Sequence, residues 1–350
     1  MEIILKNDSF NRNYDKLINT VDEDDRLLLD RASVTSHIYF NERRMSFPRF
    51  HRGEVFQLPF SEFRIEKYSN ATFHINTSVG YSGEGDQIKV LNETTFSNHD
   101  CSDVFSAINC FGFIWQHVLQ DSLPIIYFGR EYLISHPQTA ILMHSLRSPE
   151  RNAQICHIIK LMGITNKIIF LRPYYKQTMS VKSLVVLRSN NEVPCWWWPN
   201  FFYHGINQFI KGKDSNRSNV ILIRRTDRSS QSRYVLNHED LKKMVINYCR
   251  DKGLNFVEFF LEKYPNFRQR YFVFQNAHTI IAPHGGANYH VLFSPEQTKF
   301  IEFCAANELN SLYNIASALN FKYFILPCLT DESNHNFNVD AKKVSKALLM

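Results

Sequence analysis

Short apolar runs alternate with amphipathic helical stretches through most of the chain after residue 138. The spacing predicts strands at 139–143, 167–171, 183–187, 220–224, 255–259, 279–283, 298–303 and 322–326. It predicts helices between and after them at 151–162, 201–211, 238–252, 267–276, 309–319 and 340–349. Short buried strands that alternate with helices are typical of parallel sheets. The sequence therefore predicts an α/β fold.

The alternation is interrupted at residues 190–200, which contain two prolines and three tryptophans, and at the polar loop 212–219. A domain boundary here gives two Rossmann-like domains, residues 1–211 and 212–350, which we expect to face a central cleft. Ligands of open α/β sheets bind at the carboxyl ends of the strands, and in two-domain proteins they bind in the cleft. The tryptophans suit stacking on a sugar and an apolar plug between the domains equally well.

Residues 1–100 are rich in polar side chains and contain short strand-like runs at 55–58 and 88–91. We expect an irregular, partly β segment there. A helical pattern begins at Phe113, and Pro124 should end or kink that helix because proline lacks a backbone N–H.

Charge and composition exclude several classes of function. The 40 Lys and Arg residues against 34 Asp and Glu residues give a diffuse net charge of +6, whereas nucleic-acid binding needs a clustered basic face. No stretch approaches the run of about 18 apolar residues that spans a membrane, and the N-terminus lacks the features of a signal peptide. Seven cysteines without CxxC spacing do not make a zinc framework. We therefore expect a cytoplasmic protein without a cysteine zinc framework, and its mildly basic charge suits a partner that carries phosphate.

A predicted strand at 279–283 runs directly into His284, Gly285 and Gly286, at the start of a helical pattern. Glycine lets the backbone approach a ligand closely, and the N–H groups at a helix start bind anions. His284 is placed to donate to a phosphate or a sugar hydroxyl. A tight turn with a capped histidine explains the triplet equally well.

Arginines follow another predicted strand, 220–224. Arg224 and Arg225 lie at its end, and Arg233 comes shortly before Asn237, the expected N-cap of the next helix. The planar guanidinium binds oxyanions bidentately, which suits a diphosphate. A solvated loop with surface arginines, the commoner fate of such a run, is the alternative. The presence of these arginines favours the anion-binding interpretation of the glycine turn.

Two further acids are candidates for chemistry. Glu302 lies at the carboxyl end of a predicted strand, where an acid accepts from ribose hydroxyls in dinucleotide folds. An edge acid paired with Lys299 is the alternative. His117 and Asp121 are four residues apart, so a helix places them on one face, where the carboxylate can act as a general base. A structural pair on the helix surface is the alternative.

Three segments occur in a characteristic order: WQHVLQDSLP at 115–124, IRR…R…NHEDL at 223–241 and APHGGAN…IE at 282–302. Together they resemble glycosyltransferase family 61, which includes plant β-1,2-xylosyltransferases, the EGF-domain O-GlcNAc transferase and the O-mannose β-1,4-GlcNAc transferase. The resemblance implies a GT-B fold and an inverting, metal-independent transfer of a sugar such as xylose or GlcNAc. It also implies a nucleotide-sugar donor, by default UDP-linked, that is bound by residues 212–350, a glycan or protein hydroxyl as acceptor on the side of residues 1–211, and no cofactor.

The resemblance assigns roles by position. The donor-binding residues would be Arg224, Arg225, Arg233, Asn237, His284, Gly285, Gly286 and Glu302. The arginines would hold the diphosphate, foremost Arg224 and Arg233, the turn would present backbone N–H groups, and the glutamate would face the ribose. Asp121 would deprotonate the acceptor hydroxyl, and His117 would orient either Asp121 or the acceptor.

Two other classes of function remain open from the sequence. One is a nucleotide-sugar or glycan-binding protein that keeps the scaffold without turnover, and the other is a different enzyme on it, such as an epimerase or a phosphorylase. Fold-level analogy does not separate them. The chain lacks the membrane anchor of its relatives, so the cytoplasm is the expected compartment, or the ER or Golgi lumen for a trimmed chain.

Overall fold

The structure is a computed structural model that describes residues 2–7, 35–40, 43–48, 63–75, 88–93, 101–108, 112–146, 148–172, 177–189, 200–210, 216–226, 233–305, 312–329 and 336–350. In chain order its strands are β1 (Glu2–Asn7), β2 (Thr35–Phe40), β3 (Arg43–Pro48), β4 (Phe63–Ile75), β5 (Ile88–Glu93), β6 (Cys101–Ser106), β7 (Ala140–His144), β8 (Ile168–Leu171), β9 (Gln177–Ser189), β10 (Asn219–Ile223), β11 (Asn255–Phe259), β12 (Ala277–Pro283), β13 (Lys299–Ala305) and β14 (Lys322–Cys328).

The helices are α1 (Trp115–His117), α2 (Leu123–Phe128), α3 (Arg130–Ser135), α4 (Pro149–Leu161), α5 (Asn200–Ile210), α6 (His238–Lys252), α7 (Phe267–Gln275), α8 (Leu312–Ala318) and α9 (Ala341–Leu349). A π-helical turn spans Val118–Ser122, between α1 and α2, and a 3₁₀ helix spans Gly286–Phe293. Among the helices of the described segments, none combines the length and the apolar character needed to cross a membrane.

The chain forms two compact units, and from β4 onward the division falls after Ile210, at the end of α5. The first contains the sheet of β1 and β4 to β9, and the second contains the sheet of β10 to β14, while β2 pairs with β3 in a separate two-stranded sheet. Both units combine parallel strands with helices, so the predicted α/β class is confirmed. The assignment of residues 1–211 to an acceptor side and 212–350 to a donor side stays a prediction, as does the cleft.

The sheet of the first unit is mixed. Its strands lie in the order β1-β4-β9-β6-β7-β8, and β5 also pairs with β4. The strands from β9 to β8 are parallel, whereas β4 is antiparallel to β1, β5 and β9. The predicted strand at 88–91 is confirmed as β5, while the run at 55–58 and the tryptophans at 196–198 lie outside the described residues. The irregular segment expected at 1–100 thus supplies antiparallel strands that extend the sheet.

The sheet of the second unit is entirely parallel, with the strand order β11-β10-β12-β13-β14. In chain order this is 2-1-3-4-5, a doubly wound arrangement. The order reverses between β10 and β12, so the switch point, where ligands of such sheets bind, lies just beyond Ile223 and Pro283. Both predicted anion-binding motifs directly follow these two strands.

One face of the second sheet packs against α6 and α9 in an apolar core. The core includes Val220, Leu222, Leu241, Val245, Ile281, Ile301, Phe303, Phe324, Leu326, Val344 and Leu348. Fully burying a side chain of this size contributes about 1.5–3 kcal/mol. Since side chains alternate along a strand, the position between Ile301 and Phe303 points away from this core. Glu302 occupies that position.

Two helical segments differ from what the sequence predicted. The residues after His284 form a 3₁₀ helix, not an α-helix. Asn288 tightens this turn, because its backbone N–H donates to the carbonyl of Gly285 and its side chain donates to that of Pro283. The helical pattern from Phe113 continues past Pro124 into α2, so the proline does not end it.

Asn237 precedes α6 as predicted, but its side chain does not cap the helix. Its Nδ2 donates to the carbonyl of Val339 at 2.8 Å, and its Oδ1 accepts from the N–H of the same residue at 2.9 Å. A backbone bridge joins Val235 to Phe337 beside this contact. Asn237 therefore ties the segment before α6 to the segment before α9.

Replacing Asn237 with alanine should lower the free energy of unfolding by about 1–3 kcal/mol, because two backbone groups of Val339 lose their partner. Asn237→Asp keeps the acceptor and loses the donor, so its effect should be intermediate. Urea titration followed by circular dichroism measures both variants. An alanine variant within about 0.5 kcal/mol of wild type, the range of ordinary surface substitutions, would contradict this role.

Candidate active site

The carboxyl ends of β10 and β12 are joined through Arg225. Its Nη1 donates to the carbonyl oxygen of His284 at 2.8 Å. A Cβ atom added at Gly285 would lie 2.3 Å from this Nη1, far inside contact distance. The backbone of Gly285 is extended, so the close approach of Arg225 is what requires glycine here. The switch point thus holds a guanidinium against a stretch of backbone without a side chain.

His284 is held in place by a buried carboxylate. Its Nδ1 lies 2.7 Å from Oε1 of Glu302, whose side chain is 1% exposed. Asn288 donates to the same oxygen at 3.3 Å, and the hydroxyl of Tyr323 donates to Oε2. With the carboxylate as acceptor, Nδ1 carries the proton and Nε2 is the acceptor nitrogen of the ring. Glu302 therefore orients His284, while its predicted contact with ribose stays a prediction.

Arg224 pairs with acids, and among the described residues its side chain makes no hydrogen bond to the glycine turn. Its Nη1 lies 3.2 Å from Glu239 and 3.6 Å from Glu258. Burial by itself would raise the pKa of Glu258, but the hydrogen bonds and charges of Lys242 and His238 outweigh it and lower that pKa. Arg224 is thus part of an ionic cluster at the end of β11 and the start of α6.

Arg233 and Asn237 belong to the segment that is tied to Val339. Arg233 has a left-handed backbone with φ 44°, a conformation that costs a non-glycine residue about 1–2 kcal/mol. Both polar atoms of the Asn237 amide are engaged with Val339. The donor contacts expected for these two residues stay predictions.

Two groups of side chains in the described segments have atoms close enough to hold a metal ion, within 4.8 Å of one another. They are His284, Glu302 and Cys304, and His238, Glu239 and Glu258. In the first group the carboxylate already accepts from three donors, and in the second a lysine and an arginine balance the acids. The expectation of a metal-free reaction stays a prediction.

His117 and Asp121 make the contact that their spacing predicted, with Nδ1 2.8 Å from Oδ2. The Asp121 side chain is fully buried, and its Oδ1 has no hydrogen-bond partner among the described residues. Burial raises the pKa of Asp121, an effect that the hydrogen bond and charge of His117 only partly offset. A raised pKa makes the carboxylate a stronger proton acceptor. The arrangement therefore suits a general base, although the role itself stays a prediction.

The π-helical turn at Val118–Ser122 carries Asp121. Pro124 cannot donate to the carbonyl of Gln120, four residues earlier, and that carbonyl accepts from the hydroxyl of Tyr203 at 3.2 Å instead. The helical segment therefore accommodates Pro124 and continues into α2. Such π turns are frequent at functional sites.

The sequence reasoning missed three polar side chains of these sites, Asn288, Tyr323 and His144. Tyr323 lies 21 residues from Glu302, and no local pattern indicates their contact. His144 ends β7 and is 2% exposed, and burial lowers its pKa to about 4. A histidine that ends an apolar run was the available signal for it.

The match to a known family covers the pair of His117 and Asp121 as well as Arg225 and the glycine turn. The family model of Glycosyltransferase 61 matches residues 115–301, more than half of the chain. The chain therefore belongs to glycosyltransferase family 61, and the predicted family is confirmed. The family indicates glycosyltransferase activity, with a sugar donor and a glycan acceptor. No curated protein matches the chain closely enough to count as a relative.

Gly285→Ala should displace Arg225 from the glycine turn, because the added carbon overlaps its Nη1. The arginine side chain can swing away, so the fold should survive. A charge-assisted hydrogen bond contributes about 1.5–3 kcal/mol, so UDP affinity should fall about 10- to 100-fold if Arg225 binds the diphosphate.

Calorimetry with UDP on a double-mutant cycle tests this coupling. Arg225→Ala should lose about as much affinity as Gly285→Ala, and the double variant should lose no more than either one. Additive losses would show that the two residues act independently.

Proposed function

We propose that this protein is an inverting GT-B glycosyltransferase that transfers a sugar from a nucleotide-sugar, UDP-linked, to a hydroxyl group of a glycan or glycoprotein without a metal ion. The observation that carries the proposal is the contact of Arg225 with the glycine turn at the switch point of the second sheet. Two compact units, one with a doubly wound parallel sheet, are the parts from which a GT-B enzyme is built.

The glycine turn suits the diphosphate of the donor. Negative charge builds on the diphosphate as the bond to the sugar breaks, and donors that are already fixed in place stabilise this charge. The bond to the carbonyl of His284 fixes the Arg225 guanidinium beside backbone that phosphate oxygens can approach closely. The first N–H groups of the 3₁₀ helix supply further donors.

Arg225 is our first candidate for the diphosphate, ahead of Arg224. Arg224 is 45% exposed and paired with Glu239 and Glu258, so binding a phosphate would break these pairs. Arg225 already lies against the turn. This order reverses the ranking that the resemblance alone implies.

Asp121 is the proposed base of the transfer. It takes the proton of the acceptor hydroxyl while the oxygen attacks the anomeric carbon. The bond between that carbon and the diphosphate oxygen breaks, and its electron pair leaves with the diphosphate. Attack from the side opposite the leaving group inverts the configuration. His117 holds Oδ2 of Asp121, which leaves Oδ1 for the acceptor.

Arg225→Ala should reduce kcat/KM for transfer by about 10²–10³, the usual effect of removing one donor to a developing anion. Arg224→Ala is the matched control and should cost less than about tenfold, since it removes an exposed ion pair. Both variants should keep the thermal stability of wild type. A larger loss for Arg224→Ala would reverse the assignment.

Asp121→Asn should reduce kcat by about 10²–10⁴ and leave UDP affinity unchanged. In wild type, activity should fall with decreasing pH through a pKa above about 3.9, the ordinary value for aspartate, because the base must be ionised. The asparagine variant should lack this acid limb.

A loss of less than tenfold in Asp121→Asn would place the base elsewhere. If wild type binds UDP-sugars but leaves them intact through long incubation with saccharide acceptors, the protein is a binding protein on this scaffold.

A further inference from the structure

Tyr323 supports the buried carboxylate of the second unit's site from the neighbouring strand. It is the second residue of β14 and is 5% exposed. Its ring packs on Phe300, its register partner on β13, with the centroids 5.3 Å apart. Its hydroxyl donates to Oε2 of Glu302, which lies two residues beyond Phe300 on the same strand. Strand pairing and ring packing therefore fix the direction in which this hydroxyl points.

Hydrogen bonds continue from this hydroxyl to the arginine proposed to bind the diphosphate. The other oxygen of Glu302, Oε1, accepts from Nδ1 of His284 at 2.7 Å and from Asn288 at 3.3 Å. The carbonyl of His284 accepts from Nη1 of Arg225 at 2.8 Å. A continuous series of contacts within the second unit thus leads from Tyr323 through the carboxylate and the imidazole to Arg225.

The hydroxyl of Tyr323 controls the orientation of the carboxylate. At Oε2 of Glu302 the described residues supply one donor, Tyr323, whereas two donors share Oε1. Without the hydroxyl, Oε2 is a buried acceptor that lacks this partner, and such atoms are rare because they weaken folding. The carboxylate then turns toward other donors or toward water. His284 loses the fixed acceptor that holds its ring.

We propose that Tyr323 is a positioning residue of the donor site. Through Glu302 it fixes His284 and the backbone carbonyl to which Arg225 is bonded, and it thereby sets the affinity for a nucleoside diphosphate without touching it. The inference rests on the proposed function and deepens it. Tyr323 lies outside residues 115–301, so the match to the family model does not assign it a role.

The first test needs no ligand. Nitrogen NMR of the histidine rings, in the full chain and in mildly alkaline buffer, reports which ring nitrogen carries the proton, and His284→Gln identifies the signals of that ring. In wild type His284 should carry its proton on Nδ1 alone, because Glu302 is the acceptor there. Tyr323→Phe removes only the hydroxyl, and the tautomer with the proton on Nε2 should appear beside the first.

The second test is calorimetry with UDP. Tyr323→Phe should weaken UDP binding about tenfold, the effect of one hydrogen bond to a charged group. In the Arg225→Ala background the same change should cost less than about twofold, because the contribution of Tyr323 reaches the diphosphate through Arg225. A double-mutant cycle with these variants measures this dependence.

Tyr248→Phe is the matched control. It also removes one hydroxyl from a tyrosine of the second unit, but that hydroxyl donates to the carbonyl of Leu348 on α9 at 3.4 Å. Tyr248→Phe should change neither the tautomer of His284 nor the affinity for UDP. All titrations are run at a temperature at which circular dichroism shows every variant fully folded.

Three results would overturn the proposal. Tyr323→Phe keeps the single tautomer and binds UDP as wild type does, even if it melts at a lower temperature, which makes the hydroxyl purely structural. The losses of Tyr323→Phe and Arg225→Ala add, which shows that they act independently. Tyr248→Phe weakens UDP binding as much as Tyr323→Phe does. If wild type binds no UDP, the proposed donor site fails, and the tautomer of His284 still decides whether Tyr323 positions it.

Discussion

The buried carboxylate of Glu302 is the group on which the geometry of the second unit's site depends. A carboxylate withdrawn from water is very costly unless donors surround it. Its donors come from three elements: His284 after β12, Asn288 in the 3₁₀ helix and Tyr323 on β14. These bonds fix the glycine turn to the sheet, and Arg225 donates a hydrogen bond to the backbone of this turn. The position of Arg225 thus follows from the need to satisfy one buried acid.

Both units keep buried polar atoms that the described residues do not satisfy. In the second unit, both oxygens of Glu302 are bonded within the protein, but Oδ1 of the neighbouring Asn288 has no partner among the described residues. In the first unit, the same holds for Oδ1 of Asp121 and for both ring nitrogens of His144. Unsatisfied buried atoms lower stability and are available to a ligand.

Local sequence predicted most of the second unit. β11 lies at the predicted residues, and α6 ends as predicted, because Gly253 with φ 64° terminates the helix. The pairing of β4 with β9 was not predicted, since it joins residues as far apart as Phe63 and Ser189. No local pattern specifies such a partner. The 3₁₀ helix was also missed, because its geometry depends on the contact of Asn288 with Glu302.

The sequence by itself determined the α/β class, the family and the presence of His284, Glu302 and two adjacent arginines at strand ends. These follow from apolar periodicity and motif order, which are local properties. Only the tertiary structure decided that Arg225 meets the glycine turn while Arg224 joins the acids, and that Glu302 holds His284. Adjacent residues after a strand point to opposite sides, and the neighbours on each side are set by strand order, which the sequence does not state locally.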